Sequence, residues 1–249
     1  MIDLNKTLYA SCRVRSKKAL GSATIVGSHA WDGSNYETYA ITNHHVVEDC
    51  ITVKKEFDPL VGREVPKEFK AQVEVDFPRF NKDKLVGFST VLADIMIYDK
   101  NQDIALLKFR DTVQYPTATL IPEGLIDSIS ILQPIVMIGN PLGEKLVATS
   151  GMVCGTDIEI ENYDYWLGSA LQYFGVSGGG VFTAIDGEWY YIGVPSRVKV
   201  ALIGMSVDVV SHLGYFIPPS RIWKWLKETC YEYVADPVRY NKAECEQRR

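Results

Sequence analysis

Short runs of apolar and β-branched residues, each closed by Gly, Pro, Asn, Asp or Ser, recur along the whole chain. Residues 8–14, 22–26, 38–41, 51–53, 71–75, 90–98 and 104–109 form a first group of such runs. Residues 134–138, 146–153, 165–170, 180–183, 189–194, 200–205 and 215–217 form a second. Aromatic and β-branched side chains crowd these segments, as a pleated half-buried surface favours. About a dozen strands at this spacing predict an all-β protein of sandwich or barrel type rather than βαβ units. Residues 56–84 carry Lys, Pro, Asp and Phe without a steady period, so they read as a long excursion between strands. One helix is expected near the end. Pro218-Pro219-Ser220 is a stop-and-cap signal, and Ile222, Trp225, Leu226 and Thr229 then recur at helical spacing. A single helical turn is expected after His45. The stretch 117–127 divides the strands into two groups, giving units at 1–120 and 121–233 and a polar tail at 234–249.

Composition narrows the function classes. The chain has 249 residues, 47% hydrophobic and 23% charged, with a formal net charge of −5. That balance contains no basic stripe, so a nucleic-acid partner is not expected. The longest apolar stretch, 129–138, is broken by Ser130, Gln133 and Pro134 and is too short to span a bilayer. The first residues, Met1-Ile2-Asp3-Leu4-Asn5-Lys6, lack the pattern of a secretory leader, so a cytoplasmic or virus- or phage-associated protein is expected. The five cysteines are odd in number, widely spaced and free of any CxxC pair. Free thiols fit that pattern better than disulfides or a zinc site, and no metal or organic cofactor is implied. Cys12 and Cys154 lie in apolar strand-like segments and are expected as small buried hydrophobes.

Three segments carry candidate chemistry. Acyl transfer by serine needs a hydroxyl, a base for its proton, a carboxylate to orient the base, and donors for the oxyanion. Gly175-Val176-Ser177-Gly178-Gly179-Gly180 offers a hydroxyl on a backbone free to turn sharply, with the N–H groups of Gly175 and Ser177 as oxyanion donors. His45 sits where the apolar strand Ala40-Ile41 runs into a Thr42-Asn43 turn. Asp103 opens the buried run Ile104-Ala105-Leu106-Leu107. Taken singly, each has a plainer structural reading: a linker turn, a backbone-bonded histidine, a strand-end cap.

In order along one chain, the segments resemble the trypsin-like (chymotrypsin-fold) serine proteases, and within them the HtrA/Deg branch. Thr42-Asn43-His44-His45-Val46-Val47 is similar to that branch's histidine motif and Asp103-Ile104-Ala105-Leu106-Leu107-Lys108 to its aspartate motif. Gly175-Val176-Ser177-Gly178-Gly179 matches its serine motif except at Val176. Ile138-Gly139-Asn140-Pro141-Leu142-Gly143 with Thr149-Ser150-Gly151, and Tyr215-Phe216-Ile217-Pro218-Pro219-Ser220, resemble further stretches of the second barrel.

The resemblance implies two six-stranded antiparallel β-barrels with a C-terminal helix. His45 and Asp103 would come from the first barrel and Ser177 from the second, with His44 a polar neighbour. It implies hydrolysis of unfolded or extended protein and peptide substrates, with no membrane partner; a homo-oligomer is compatible with it. Aligned on these motifs, Leu171 falls at the floor of the primary specificity pocket and Ser196, Arg197 and Val198 along its wall and edge strand. With no acid at its base, the pocket is expected to prefer small or medium aliphatic residues. Val176 replaces a polar residue that braces the oxyanion loop in the family, so the peptide joining Gly175 to Val176 is free, on sequence alone, to take either orientation. About 30 residues follow the closing-helix motif, too few for the PDZ module of the HtrA branch. A catalytically weak or inactive peptide-binding module, or a viral or phage processing protease, would carry the same residues.

Overall fold

A computed structural model describes residues 2–31, 33–81, 84–203 and 206–236. The first eight strands are β1 (Ser11–Arg15), β2 (Leu20–Ala30), β3 (Tyr36–Thr42), β4 (Ile51–Asp58), β5 (Arg63–Lys70), β6 (Val73–Asn81), β7 (Lys84–Asp99) and β8 (Ile104–Asp111). Six of them close an antiparallel barrel in the order β1-β2-β3-β8-β7-β6, while β4 and β5 form a separate hairpin. Six more follow: β9 (Pro134–Gly139), β10 (Val147–Ile160), β11 (Tyr163–Gly168), β12 (Gly180–Ile185), β13 (Glu188–Ile203) and β14 (Ser206–Ile217). They close a second barrel in the order β10-β11-β14-β13-β12-β9. The helices are α1 (His44–Val47), α2 (Glu123–Ile126) and α3 (Pro219–Glu228). The all-β, two-barrel fold with a closing helix is thus as the sequence predicts.

Burial explains the strand patterns. β2 is buried from Gly21 to Ser28 without alternation, because one face fills the first barrel and the other meets the second. Ile25 packs with Cys12, Val14, Val75 and Leu107 inside the first barrel. Val26 joins Tyr39, Ile41 and Leu106 in a cluster that continues into Tyr165, Phe182, Tyr191 and Ile217 of the second. Trp223, Trp225 and Leu226 of α3 seal this shared core, and Trp223 Nε1 donates to Ile121 O at 2.7 Å. Pro218, not Ser220, occupies the cap position of α3, with Pro219 preset for the first turn.

Four expectations need correction. Residues 56–84 are not an irregular excursion: the β4–β5 hairpin, β6 and the start of β7 occupy them. The hairpin is exposed on both faces, with Phe57 65% and Leu60 97% accessible, so no buried face imposes a period on its sequence. Pro66 is tolerated because β5 pairs with β4 alone. The run at 200–203 continues β13 rather than starting a new strand, and Met205 lies outside the described residues, as do residues 237–249 of the tail. The first strand begins at Ser11, three residues later than the apolar run suggests. Cys12 and Cys50 are buried free thiols, but Cys154 is exposed, facing outward next to buried Val153.

A buried carboxylate fastens the first barrel to the second. Asp76 on β6 accepts from Arg13 Nε at 2.9 Å, Arg15 Nε at 2.6 Å and Thr90 Oγ1 at 2.6 Å. Arg13 Nη1 also donates to Gly143 O at 2.8 Å, in a turn that follows β9. Burial alone would push the Asp76 carboxyl up, but its donors bring it down to about 2. The folded pKa lies below the unfolded one, so this stabilisation is complete above about pH 4 and is lost as the pH falls towards 2. Asp76→Asn should cost about 3 kcal/mol at pH 7, since both arginines lose their shared buried carboxylate and keep only Glu74 and Gly143 O as partners. Urea melts at pH 7, 4.5 and 2.5 should show the wild type losing roughly 2 kcal/mol more than the variant across the acid range.

Candidate active site

α1 begins directly after β3, and its first turn carries His44 and His45 in opposite directions. His44 is buried against the Tyr98 ring, with centroids 5.0 Å apart. Burial holds its pKa below the ordinary histidine value. His45 faces outward, and its Nδ1 lies 2.9 Å from each oxygen of Asp103. Asp103 Oδ1 also accepts from the His45 backbone N–H at 3.0 Å, and Oδ2 from Ser196 Oγ at 2.6 Å. Burial pushes the Asp103 carboxyl up, but the bonds from His45 and Ser196 outweigh it and hold it below the usual carboxylate range. An Nδ1–H donated to an ionised Asp103 leaves Nε2 as the acceptor of a neutral imidazole.

Asp103 holds a left-handed backbone, φ 56°, which a non-glycine residue adopts at a cost of order 1 kcal/mol. Asn43 stabilises that backbone: its Nδ2 donates to Asp103 O at 2.8 Å instead of capping α1. Ser196 reaches the carboxylate because β13 carries a bulge between Pro195 and Arg197, which re-aims its side chain.

Ser177 lies in the loop before β12. The loop's peptide groups are held in alternation. Leu142 N–H donates to Phe174 O at 2.6 Å, Ser22 Oγ to Gly175 O at 2.8 Å, Gly179 N–H to Val176 O at 2.9 Å and Ser22 N–H to Ser177 O at 2.8 Å. The N–H groups of Val176 and Gly178 donate to Tyr173 O and Pro195 O. The N–H groups of Gly175 and Ser177 bond to nothing among the described residues. Because each trans peptide sets N–H opposite C=O, the anchored carbonyls of Phe174 and Val176 fix where these two donors point. Gly175 has φ 93°, and a Cβ there would lie 2.5 Å from Asn140 O; at Gly178, φ 84°, it would lie 2.1 Å from Ser22 O. Only glycine fits at either position. Ser177 Oγ makes no hydrogen bond among the described residues, to His45 included; such bonds often tighten only with substrate bound.

The structure groups Ser177 with Ser196, Arg197 and Val198 around a cavity of about 10 Å³, on the order of one water. Leu171 is not brought there. It lines a separate cavity with Met137, Gly139, Val147 and Thr149, and Gln172 takes the expected place beside Ser196. The buried Gln172 side chain lies against Gly214, where a Cβ would meet its Oε1 at 1.8 Å. Arg197 is drawn aside to Glu161, 2.5 Å away, and over the Tyr165 ring.

Ser22, Asn43 and Gln172 received no role from the sequence. β2 carries Ser22, Thr24 and Ser28 among its apolar residues, and nothing in the sequence singles out Ser22 from the other two hydroxyls.

Val176 is 5% exposed and packs with Ile135, Met137, Val181 and Phe216 in the second barrel's core. A hydrophobic anchor thus stands where a polar brace was expected. Val176→Asp should lower stability by about 3 kcal/mol in urea melts at pH 7, because the carboxylate would enter an apolar cluster; unchanged stability would reveal a buried partner for it.

No curated protein sequence matches the chain. Two solved structures of the HtrA-type protease AlgW with tripeptide superpose with TM-scores of 0.61 at 20% and 21% identity. They cover 94% of this chain, and the chain spans 62% and 63% of theirs; at that identity the likeness is one of fold. The family model of the trypsin-like peptidase domain matches residues 21–194. The chain therefore belongs to the trypsin-like peptidase domain family.

Proposed function

We propose that the chain is a serine endopeptidase in which Ser177 is the nucleophile, His45 the general base and Asp103 its orienting carboxylate. The observation that carries this reading is the bond from His45 Nδ1 to a partly buried Asp103. With it goes a loop serine whose own N–H and that of Gly175 are unbonded among the described residues. Ser177 Oγ attacks the scissile carbonyl while His45 Nε2 takes its proton, and the same proton passes to the leaving amine. Asp103 keeps the required tautomer and stabilises the imidazolium without itself being protonated. The Gly175 and Ser177 N–H groups receive the oxyanion of the tetrahedral intermediate. Water then repeats the sequence on the acyl-enzyme.

The substrate is an extended peptide that lies along 196–198 as an added strand, since β12 pairs with β13 only as far as Gly193 and leaves that edge open. A cavity near the size of a water, with no acid in its lining, favours a small aliphatic residue before the cut.

A fluorophosphonate probe should label the wild type and not Ser177→Ala; no labelling of the folded wild type would overturn the assignment. Labelling without cleavage of unfolded casein would restrict the enzyme to one or few processing sites. A peptide library should return Ala or Val before the cut, and a preference for Lys or Arg would refute the pocket assignment.

A further inference from the structure

The Val176 side chain cannot make a polar contact that orients the Gly175 carbonyl, so another side chain must. The structure assigns this to Ser22: we propose that its hydroxyl, delivered from the first barrel, is the positioning residue that keeps the oxyanion donors aimed. The inference rests on the protease reading above and adds to it the source of the hole's geometry.

Ser22 is fully buried on β2 and meets the loop twice. Its N–H donates to Ser177 O, and its Oγ donates to Gly175 O, both at 2.8 Å. One Oγ lone pair accepts from Asn140 N–H at 2.8 Å, and the hydroxyl hydrogen has two acceptors within reach. Asn140 Oδ1, at 3.5 Å, is the weaker of its two acceptors. The hydrogen is therefore committed to Gly175 O. That carbonyl belongs to the peptide between the two free donors, so its orientation sets the dihedrals on both sides. Thr42 Oγ1 donates to Ser22 O at 2.7 Å, which ties the same residue to the segment leading into His45. Without the hydroxyl, Asn140 N–H and Gly175 O would lose their partner, and only the 3.1 Å bond from Val176 N–H to Tyr173 O would hold the peptide.

Ser22→Ala should lose about 100-fold in kcat while KM changes little, because the oxyanion is a feature of the transition state. Crystals of Ser22→Ala should show the Gly175 carbonyl turned from its present direction. Ser22→Cys, which keeps a weak donor in similar volume, should fall between the two and replaces the alanine variant if that does not fold. A folded Ser22→Ala or Ser22→Cys with wild-type kcat and an unmoved Gly175 carbonyl would overturn the proposal, even if its melting temperature fell. A wild type that no fluorophosphonate labels would sink the protease reading alone, and the carbonyl's direction in the variant crystals would still decide the role of Ser22.

Discussion

The site depends on one buried strand segment that belongs to both barrels. At Gly21 and Ser22, β2 pairs within its own barrel with Val14 and Arg13 of β1 and meets the other barrel through the backbone of Ser177. A Cβ at Gly21 would sit 3.2 Å from Ser177 O and closer still to Val46. The segment can therefore be neither larger nor displaced without moving both the α1 turn and the serine loop. Leaving a buried backbone group of this seam unpaired would cost about 1–3 kcal/mol. Close packing alone would tolerate small shifts; directional hydrogen bonds between the barrels do not.

Two buried carboxylates illustrate how one physical effect serves different ends. Burial disfavours the charged form of both Asp76 and Asp103, and donors restore it in each. Asp76 obtains its donors from two arginines, which never release their protons, and so fastens β1 to β6 and to the turn at Gly143. Asp103 obtains its principal donor from the His45 imidazole, with a second from Ser196. The first arrangement joins strands of the barrel. The second orients a single exposed ring, and it is also the one built on a left-handed backbone.

Much of this was legible in the sequence where a side chain or a buried face carries the information. Strands with one wet face show their alternation, and the motifs around His45, Asp103 and Ser177 name the groups that chemistry requires. The β4–β5 hairpin was not legible because neither face is buried. Cys154 was misplaced because a strand alternates, so a neighbour as buried as Val153 implies an outward-facing residue next to it. Leu171 and Gln172 could not be ordered by counting from Ser177: they lie in a loop of no regular period, where the bond from Gln172 N–H to Ser211 O and the gap over Gly214 decide which side chain turns inward. Ser22 stayed hidden because its partners Asn140 and Gly175 are 118 and 153 residues away.

The exchange of a polar brace for Val176 changes how the loop is stabilised rather than leaving it loose. A carboxylate at that position would hold the loop only while ionised and paired, so its geometry would follow pH and the presence of a counter-charge. Valine holds it through apolar contacts with Gly139 and the barrel core, which do not titrate. What valine cannot supply is direction, since dispersion contacts leave peptide rotation nearly free. Direction comes instead from donors outside the motif, Leu142 N–H and Ser22 Oγ, one on each barrel. The N–H groups of Gly175 and Ser177 are consequently aligned by contacts from both barrels, so the geometry of this loop depends on the docking of one barrel against the other.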